Sequence, residues 1–213
     1  QDLWTKRLMR DHMRYIDEIQ CAAARIIQAV RARARDRGWD GGRFDSMHIR
    51  RGDFQYKDTR IDATQILKNS QDVLTLNKTI YVATDERDKT FFLPLKQHYD
   101  IVFLDDFKDT LQDVNTNYYG MIDQIVSTKG DVFLGCFHST FTGYIMRMRG
   151  YHSTKQKFAG YERGILPTSY YYVTLPNKFA MHEYKPLQGA MFNREFPTSW
   201  RDIDKSVGIM MES

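Results

Sequence analysis

The stretch that decides the fold of this 213-residue chain is Ser46-Met47-His48-Ile49-Arg50-Arg51-Gly52-Asp53-Phe54. Its apolar residues Met47 and Ile49 predict the end of a short buried strand, which Gly52 breaks. Polar side chains accumulate at this break: His48, Arg50, Arg51 and Asp53. Open α/β sheets bind ligands at the carboxyl ends of their strands, and adjacent arginines repel each other in a core. We therefore expect both guanidinium groups to face one anionic ligand, such as a diphosphate.

Two residues of this stretch have alternative interpretations. His48 is also consistent with a neutral core histidine that is hydrogen-bonded to a backbone carbonyl at the strand end. Asp53 is expected to accept hydrogen bonds from Arg50 or Arg51 and so to hold the guanidinium groups in place, rather than to act directly in catalysis.

Helical and strand patterns alternate along the chain as far as Gly150. In chain order we predict a helix over residues 5–37, the strand that ends near residue 49, a helix over 64–76, a strand over 79–83, a helix over 91–99, a strand over 101–104, a helix over 118–126, a strand over 131–136 and a helix over 140–149. This alternation predicts an α/β fold with a doubly wound, parallel, Rossmann-like sheet. The second strand also ends in polar residues, Thr84-Asp85-Glu86, at the same edge of the sheet.

The pattern changes beyond Gly150, where the chain is rich in tyrosine and carries four of its five prolines. We predict one domain over residues 1–150 and an irregular, aromatic-rich extension over 151–213 that packs on the same domain. Within the extension, residues 170–173 are typical of a short strand, and residues 195–200 of an ordered segment anchored by aromatic side chains.

Composition and charge exclude some classes of function. The net charge of +4 is small, and no run of eighteen apolar residues predicts a membrane span. Two cysteines, without the spacing of a zinc site, allow at most one disulfide.

Asn77-Lys78-Thr79 is a glycosylation sequon, which weakly favours a lumenal location. The chain begins at Gln1, as expected of a processed protein or a fragment.

A basic run ends the first predicted helix. Its arginines are Arg25, Arg31, Arg33, Arg35 and Arg37. They suggest either a nucleic-acid patch or, as we prefer, a solvated helix face whose cations are favourably placed at the negative end of the dipole. A nucleic-acid partner is not expected, because no aromatic side chains are interleaved with the run.

Ser139 and Thr140 follow a predicted strand and open a predicted helix. A helix N-terminus presents unpaired N–H groups and the positive end of the dipole, so a phosphate could bind there with both hydroxyls as additional donors. An ordinary N-cap is the alternative for this segment in isolation. We favour the phosphate, because this helix end and Arg50 are predicted to lie at the same edge of the sheet.

Two motifs resemble those of known enzymes. His48-Ile49-Arg50-Arg51-Gly52-Asp53 resembles the His-x-Arg-Arg-x-Asp donor motif of GDP-fucose-dependent fucosyltransferases, α-1,6-fucosyltransferases among them. Ile122-Asp123-Gln124, followed by Phe133-Leu134-Gly135 and Ser139-Thr140-Phe141, resembles the second donor motif of the protein O-fucosyltransferase family. Order and spacing agree over roughly residues 45–150.

The resemblance implies the C-terminal, donor-binding half of a GT-B glycosyltransferase that moves fucose from GDP-fucose, with inversion, to a hydroxyl of a protein or glycan. It implies no metal or other cofactor, and the sequence has no His/Cys cluster. It implies donor contacts from His48, Arg50, Arg51, Asp123, Ser139, Thr140 and Phe141, with Arg50 as the catalytic residue. Asp123 would contact the guanosine, although an exposed carboxylate is the alternative. Phe141 would pack near the base, or belong to the core.

The resemblance also implies a location in the secretory-pathway lumen, in the ER or Golgi, either as a free protein or as the lumenal part of a membrane-anchored precursor. A cytoplasmic location is the alternative. Family enzymes bind the donor between two Rossmann-like domains, and only the C-terminal one is recognisable here. The acceptor site and general base are therefore not placed, and Asp58 and Asp85 are available carboxylates. Asp85 is otherwise expected to support the donor contacts. The alternative function is a non-catalytic nucleotide-sugar or glycan-binding module.

Overall fold

A computed structural model describes residues 8, 12–57, 60–136, 138–157, 168–175 and 178–183. The elements, in chain order, are α1 (Asp17–Asp36), a 3₁₀ turn (Asp40–Gly42), β1 (Asp45–Ile49), α2 (Ala63–Ser70), β2 (Thr79–Thr84), a 3₁₀ turn (Lys89–Phe92), α3 (Leu93–Lys96), β3 (Asp100–Val102), a 3₁₀ segment (Leu104–Leu111), a 3₁₀ turn (Thr116–Tyr118), α4 (Tyr119–Ser127), β4 (Phe133–Cys136), α5 (Thr140–Gln156), β5 (Ser169–Leu175) and β6 (Lys178–Glu183).

The strands form one sheet in the order β3-β2-β1-β4-β5-β6. The first five strands run parallel, and β6 pairs antiparallel with β5. Helices cover both faces of the sheet: α1 and α4 pack on one face, and α2 and α3 on the other. The prediction of a doubly wound, Rossmann-like α/β fold is confirmed.

Strand residues alternate between the two layers of the core, because successive side chains of a strand point to opposite faces. Ile80 and Val82 join Met47 and Ile49 under α2 and α3. Tyr81 points to the other face, where it packs with the buried stripe of α1. His48 lies between Met47 and Ile49 and therefore also points to the face of α1 and α4.

The predicted helix over residues 5–37 is interrupted at residues 13–16, and of the residues before them the structure describes only Leu8 and His12, which are helical. Residues 13–16 are not helical, Ile16 has an extended backbone (ψ 159°), and the Met13 and Ile16 side chains are 63% and 53% exposed. The helix begins at Asp17, where Asp17 and Glu18 place negative charge at the positive end of the dipole. The prediction rested on the spacing of apolar residues, which does not contain this charge signal for a helix start.

The C-terminal end of α1 agrees with the prediction that Gly38 stops the helix. Gly38 has a φ of 89°, its N–H donates to the Arg35 carbonyl, and the Trp39 N–H donates to the Ala34 carbonyl at 3.0 Å. This pair of bonds is a Schellman motif, which requires a left-handed residue and so favours glycine. Arg33 of α1 and Arg37, which directly follows this helix, pair with Asp100 at the start of β3, so part of the basic run holds the helix to the sheet.

Other boundaries also differ from those predicted. The helix over 64–76 ends at Ser70, the helix over 91–99 is a 3₁₀ turn followed by the four-residue α3, and the strand over 101–104 ends at Val102. The last helix extends to Gln156 and so crosses residue 150, where the sequence placed a domain boundary. The strand predicted at 170–173 is confirmed as β5. The segment over 195–200 lies outside the described residues.

A buried ion-pair network closes the amino edge of the sheet. The Lys78 ammonium lies 2.8 Å from Asp45 Oδ1 and 2.9 Å from Asp131 Oδ2, and its side chain is only 8% exposed. Asp45 Oδ1 also accepts a hydrogen bond from the Val132 N–H. One cation therefore joins the starts of β1, β2 and β4.

We predict that Lys78→Met lowers the free energy of unfolding by about 3 to 5 kcal/mol, because it leaves the Asp45 carboxylate buried without its counter-ion. The matched control is Lys108→Met, which removes an exposed ion pair with Asp105 and should cost about 1 kcal/mol or less. Urea unfolding followed by circular dichroism measures both. Equal losses in the two variants would contradict a structural role for the network.

Candidate functional site

The site lies where the winding of the sheet reverses. From β1 the chain builds outward through β2 and β3, and it then crosses back to place β4 on the other side of β1. The carboxyl ends of β1 and β4 are therefore adjacent, with His48 opposite Gly135 in the ladder. Such switch points create a crevice that binds ligands in open α/β sheets.

A cavity of about 590 Å³ occupies this crevice, a volume typical of small-molecule sites. It is lined by residues from both motifs and from the loop after β1: His48, Arg50, Asp53, Phe54, Gln55, Tyr56, Thr84, Asp85, Gly120, Asp123, His138, Ser139, Thr140 and Phe141. The structure thus brings together every predicted site residue except Arg51. It also agrees with the expectation that His48, Asp85 and Ser139 lie near one edge of the sheet.

Arg50 is held rigidly at the cavity wall. Its Nη1 lies 3.0 Å from Asp85 Oδ2, and its Nη2 donates to the main-chain carbonyl of Asp53 at 3.0 Å. The guanidinium also lies over the Phe54 ring, 5.7 Å from the centroid. Asp53 thus contacts Arg50 through its main-chain oxygen, and the carboxylate that we expected from Asp53 in this position is supplied by Asp85.

Asp85 organises the loop that follows β1. Its two carboxylate oxygens accept hydrogen bonds from the main-chain N–H groups of Arg51 (2.7 Å) and Gly52 (2.8 Å). A Cβ at residue 52 would lie 2.3 Å from Asp85 Oδ2, so only glycine permits this approach. With this many partners, Asp85 is better suited to positioning the loop and Arg50 than to acting as a general base.

Arg51 points away from the cavity, so the expectation that both guanidinium groups face one ligand is wrong. Its Nε donates to Glu86 Oε2 at 3.0 Å, its Nη1 donates to the Ile61 carbonyl, and the guanidinium stacks 4.0 Å from the centre of the Phe91 ring. Neighbouring residues of an extended chain project to opposite sides. Because Arg50 and Arg51 are neighbours in sequence, their side chains point to opposite sides of the chain.

His48 is buried against the first turn of α5. Its ring stacks on Phe141 with centroids 4.5 Å apart, and Nδ1 lies 2.6 Å from the Thr142 hydroxyl. Burial lowers the pKa of His48 to about 3, so the imidazole is neutral at physiological pH. The neutral histidine that the sequence allowed as an alternative is thus present, and its ring also lines the cavity.

The N-terminus of α5 forms the opposite wall. The Ser139 carbonyl accepts the first helical hydrogen bond, from the Gly143 N–H at 2.9 Å, and the Ser139 hydroxyl lies 3.5 Å from the Thr142 nitrogen. Ser139 is therefore the N-cap, and both it and the exposed Thr140 line the cavity. A Cβ at Gly135 would lie 2.2 Å from Thr142, so glycine in β4 is needed for this close approach of helix and strand.

Asp123 also lines the cavity and is not the fully exposed carboxylate that the sequence allowed. It is partly buried and accepts a hydrogen bond of 2.5 Å from the Tyr81 hydroxyl. Burial raises the pKa of Asp123 to about 7, against the opposing effects of the Tyr81 hydrogen bond and of Lys89. The carboxyl group can thus pair with hydrogen-bond donors of a ligand in a partly dry environment.

Sequence reasoning missed part of the lining. Phe54, Gln55, Tyr56 and His138 come from irregular segments without periodicity, and Tyr56 stacks on His138 with ring centroids 4.6 Å apart. Thr84 and Gly120 were also missed, and of these two Thr84 carried a signal, its position at a strand end. Asp58, the other candidate base, lies outside the described residues.

A second depression, of about 980 Å³, lies between α1 and the Leu104–Leu111 segment. It contains no residue of either motif, and its Arg25 is paired with Asp113 at 2.9 Å. The crevice between β1 and β4 therefore remains the candidate site.

The family model described as GDP-fucose protein O-fucosyltransferase matches residues 1–152. The chain belongs to this family. The match includes β1, α4 and the first turns of α5, which build the cavity, and it confirms the resemblance seen in the two motifs. It places the chain among glycosyltransferases of the fucosyltransferase type. A search of curated proteins finds no match.

We predict that Asp123 makes folding stability depend on pH. A carboxyl group whose pKa is higher in the folded than in the unfolded state stabilises the fold below its unfolded pKa, near 4, and this contribution is lost as the pH rises through about 7. The free energy of unfolding of the wild type should therefore fall relative to that of Asp123→Asn between pH 5 and pH 8.

Urea unfolding at the two pH values tests this. Asp72→Asn, which changes an exposed carboxylate outside the cavity, is the matched control and should follow the wild type. Parallel profiles for wild type and Asp123→Asn would mean that Asp123 titrates as an ordinary surface carboxylate.

Proposed function

We propose that the chain is the donor-binding half of a GT-B glycosyltransferase that binds GDP-fucose and transfers fucose, with inversion, to a hydroxyl of a protein or glycan. The observation that carries the proposal is the meeting of both donor motifs in one cavity at the switch point of the sheet, in a member of the O-fucosyltransferase family.

The nucleoside end of the donor suits the part of the cavity beside Asp123. Guanine presents two neighbouring N–H donors, and the negatively charged carboxylate of Asp123 can accept both hydrogen bonds. The stacked rings of His48 and Phe141 offer an apolar, uncharged wall for the base. Binding of these donors would favour the ionised form of Asp123.

The diphosphate suits the part of the cavity between Arg50 and the N-terminus of α5. Arg50 supplies a planar guanidinium, and the helix supplies N–H groups and the positive end of its dipole, with the Ser139 and Thr140 hydroxyls beside it. We propose that these groups suffice without a metal or other cofactor, as the resemblance implies.

Transfer requires the bond between fucose and the β-phosphate to break, which builds negative charge on GDP. A guanidinium fixed at this phosphate stabilises the transition state more than the ground state. Asp85 and the Asp53 carbonyl already hold Arg50 in one orientation, so little reorganisation is needed during the reaction.

One observation favours the second candidate, a non-catalytic nucleotide-sugar or glycan-binding module. Both terminal nitrogens of Arg50 already have protein partners, so the guanidinium could serve mainly to shape the loop. Both candidates bind GDP-fucose or a related ligand. They differ in one result, because only the enzyme releases GDP when a hydroxyl acceptor is supplied.

Partners and location follow from the same proposal. The partners would be GDP-fucose and a protein or glycan acceptor. Family enzymes typically act in the secretory pathway, and we propose the same lumenal location here. None of the described helices has the length and apolar character needed to cross a bilayer.

We predict that GDP and GDP-fucose bind the chain in the presence of EDTA. ADP should bind at least about tenfold more weakly, because adenine cannot donate the two hydrogen bonds that guanine offers to a carboxylate. Isothermal titration calorimetry with and without EDTA measures this. Loss of GDP binding on chelation would refute metal-free binding, and equal affinity for ADP would refute the role of Asp123.

We predict that Arg50→Lys lowers the rate of fucose transfer by roughly 100- to 1000-fold, as expected when one preorganised donor is lost from a transition state. GDP affinity should fall only by about tenfold, because the lysine keeps the positive charge and the helix end remains. Turnover assays of the complete enzyme and calorimetry measure the two effects.

Arg51→Lys is the matched comparison, because it makes the same chemical change at a side chain outside the cavity. It should lower stability through loss of the contacts with Glu86 and Phe91, while transfer stays near the wild-type rate. Normal turnover in Arg50→Lys together with loss of turnover in Arg51→Lys would reverse the assignment of the two arginines.

A further inference from the structure

Tyr15 belongs to neither donor motif, yet its hydroxyl contacts Gln124, the neighbour in sequence of the cavity residue Asp123. It donates a hydrogen bond to Oε1 of Gln124, which is buried in α4 next to Asp123. The contact joins residues 109 positions apart. Tyr15 lies in the non-helical residues 13–16, before α1 begins, and its side chain contacts both α4 and α5.

Gln124 also contacts α5. Its Nε2 lies 3.5 Å from the carbonyl oxygen of Phe141, in the first turn of that helix. An amide side chain can accept with its oxygen and donate with its nitrogen at the same time, so Gln124 connects the tyrosine hydroxyl to the helix main chain. Burial raises the pKa of the Tyr15 hydroxyl above its ordinary value, so it remains a donor.

The Tyr15 ring makes a second contact with the same helix. It packs edge-to-face on Tyr144, one turn after Phe141, with centroids 5.7 Å apart. Phe141 in turn stacks on His48 and lines the cavity. Two independent contacts from one side chain therefore act on the turn of α5 that carries Phe141.

We propose that Tyr15 is a positioning residue for the donor cavity, which fixes Phe141 and the start of α5 through the amide of Gln124. Its effect on donor binding rests on the proposed function. The connection between the three elements is a property of the fold, and it can be tested without the donor.

The test is Tyr15→Phe, which removes the hydroxyl and keeps the ring on Tyr144. The affinity for GDP should fall by about fivefold, the order expected for loss of one partly buried hydrogen bond. In the complete enzyme, KM for GDP-fucose should rise by a similar factor while kcat changes by less than about twofold. Hydrogen exchange of residues 139–147, measured without GDP, should become faster.

Tyr99→Phe is the matched control, because it removes a buried hydroxyl on the other face of the sheet. It should change GDP affinity by less than about twofold and leave exchange of residues 139–147 as in the wild type. Gln124→Met provides the coupling test: adding Tyr15→Phe to it should weaken GDP binding no further, because the connection is already broken.

Normal GDP affinity together with normal exchange of residues 139–147 in Tyr15→Phe would overturn the proposal. So would faster exchange spread evenly over the whole chain, which would show a general loss of stability. If the wild type does not bind GDP, the proposed function fails by itself, and hydrogen exchange still decides whether Tyr15 holds the start of α5.

Discussion

The parallel pairing of β1 with β4 brings together two parts of the chain that are otherwise far apart. His48 lies opposite Gly135 in this ladder, so the loop after β1 and the start of α5 begin side by side. Glycine at residue 135 then permits Thr142 to approach β4 and to reach His48. The cavity exists because these two strand ends are neighbours. Its polar groups face it because backbone N–H groups and charged side chains at strand ends need partners that a core does not provide.

The two edges of the sheet use charge differently. At the amino edge, ion pairs are closed among protein groups: Lys78 with Asp45 and Asp131, and Asp100 with Arg33 and Arg37. Arg149 is buried at the same edge, where it donates to the carbonyls that precede β4 and β5. At the carboxyl edge, Arg50 has acidic and carbonyl partners but still borders open volume. The charged groups that stabilise the fold at the amino edge thus lie at the opposite edge of the sheet from those that a ligand could contact.

The two adjacent arginines illustrate how side-chain direction decides function. Arg50 borders the cavity, whereas Arg51 stacks on Phe91 and pairs with Glu86 outside it. Both are held by acidic residues that follow β2, Asp85 and Glu86, which alternate in the same way. The loop after β1 and the loop after β2 are therefore joined by two ion pairs, Arg50 with Asp85 and Arg51 with Glu86.

Sequence alone determined the parallel α/β fold, because apolar strands and the glycine break after β1 are local signals, and its two motifs indicated the family. The residues predicted for the site line the cavity, with the exception of Arg51. Several boundaries were wrong where a local signal was weak, as at the start of α1, or where apolar spacing continued past the end of an element, as after Ser70. Only the tertiary structure decided which arginine borders the cavity, that Asp85 holds Arg50, that Asp123 is partly buried beside Tyr81, and that Tyr15 reaches Gln124. Each of these depends on the direction of a side chain and on contacts between distant segments, which periodicity along the chain does not encode.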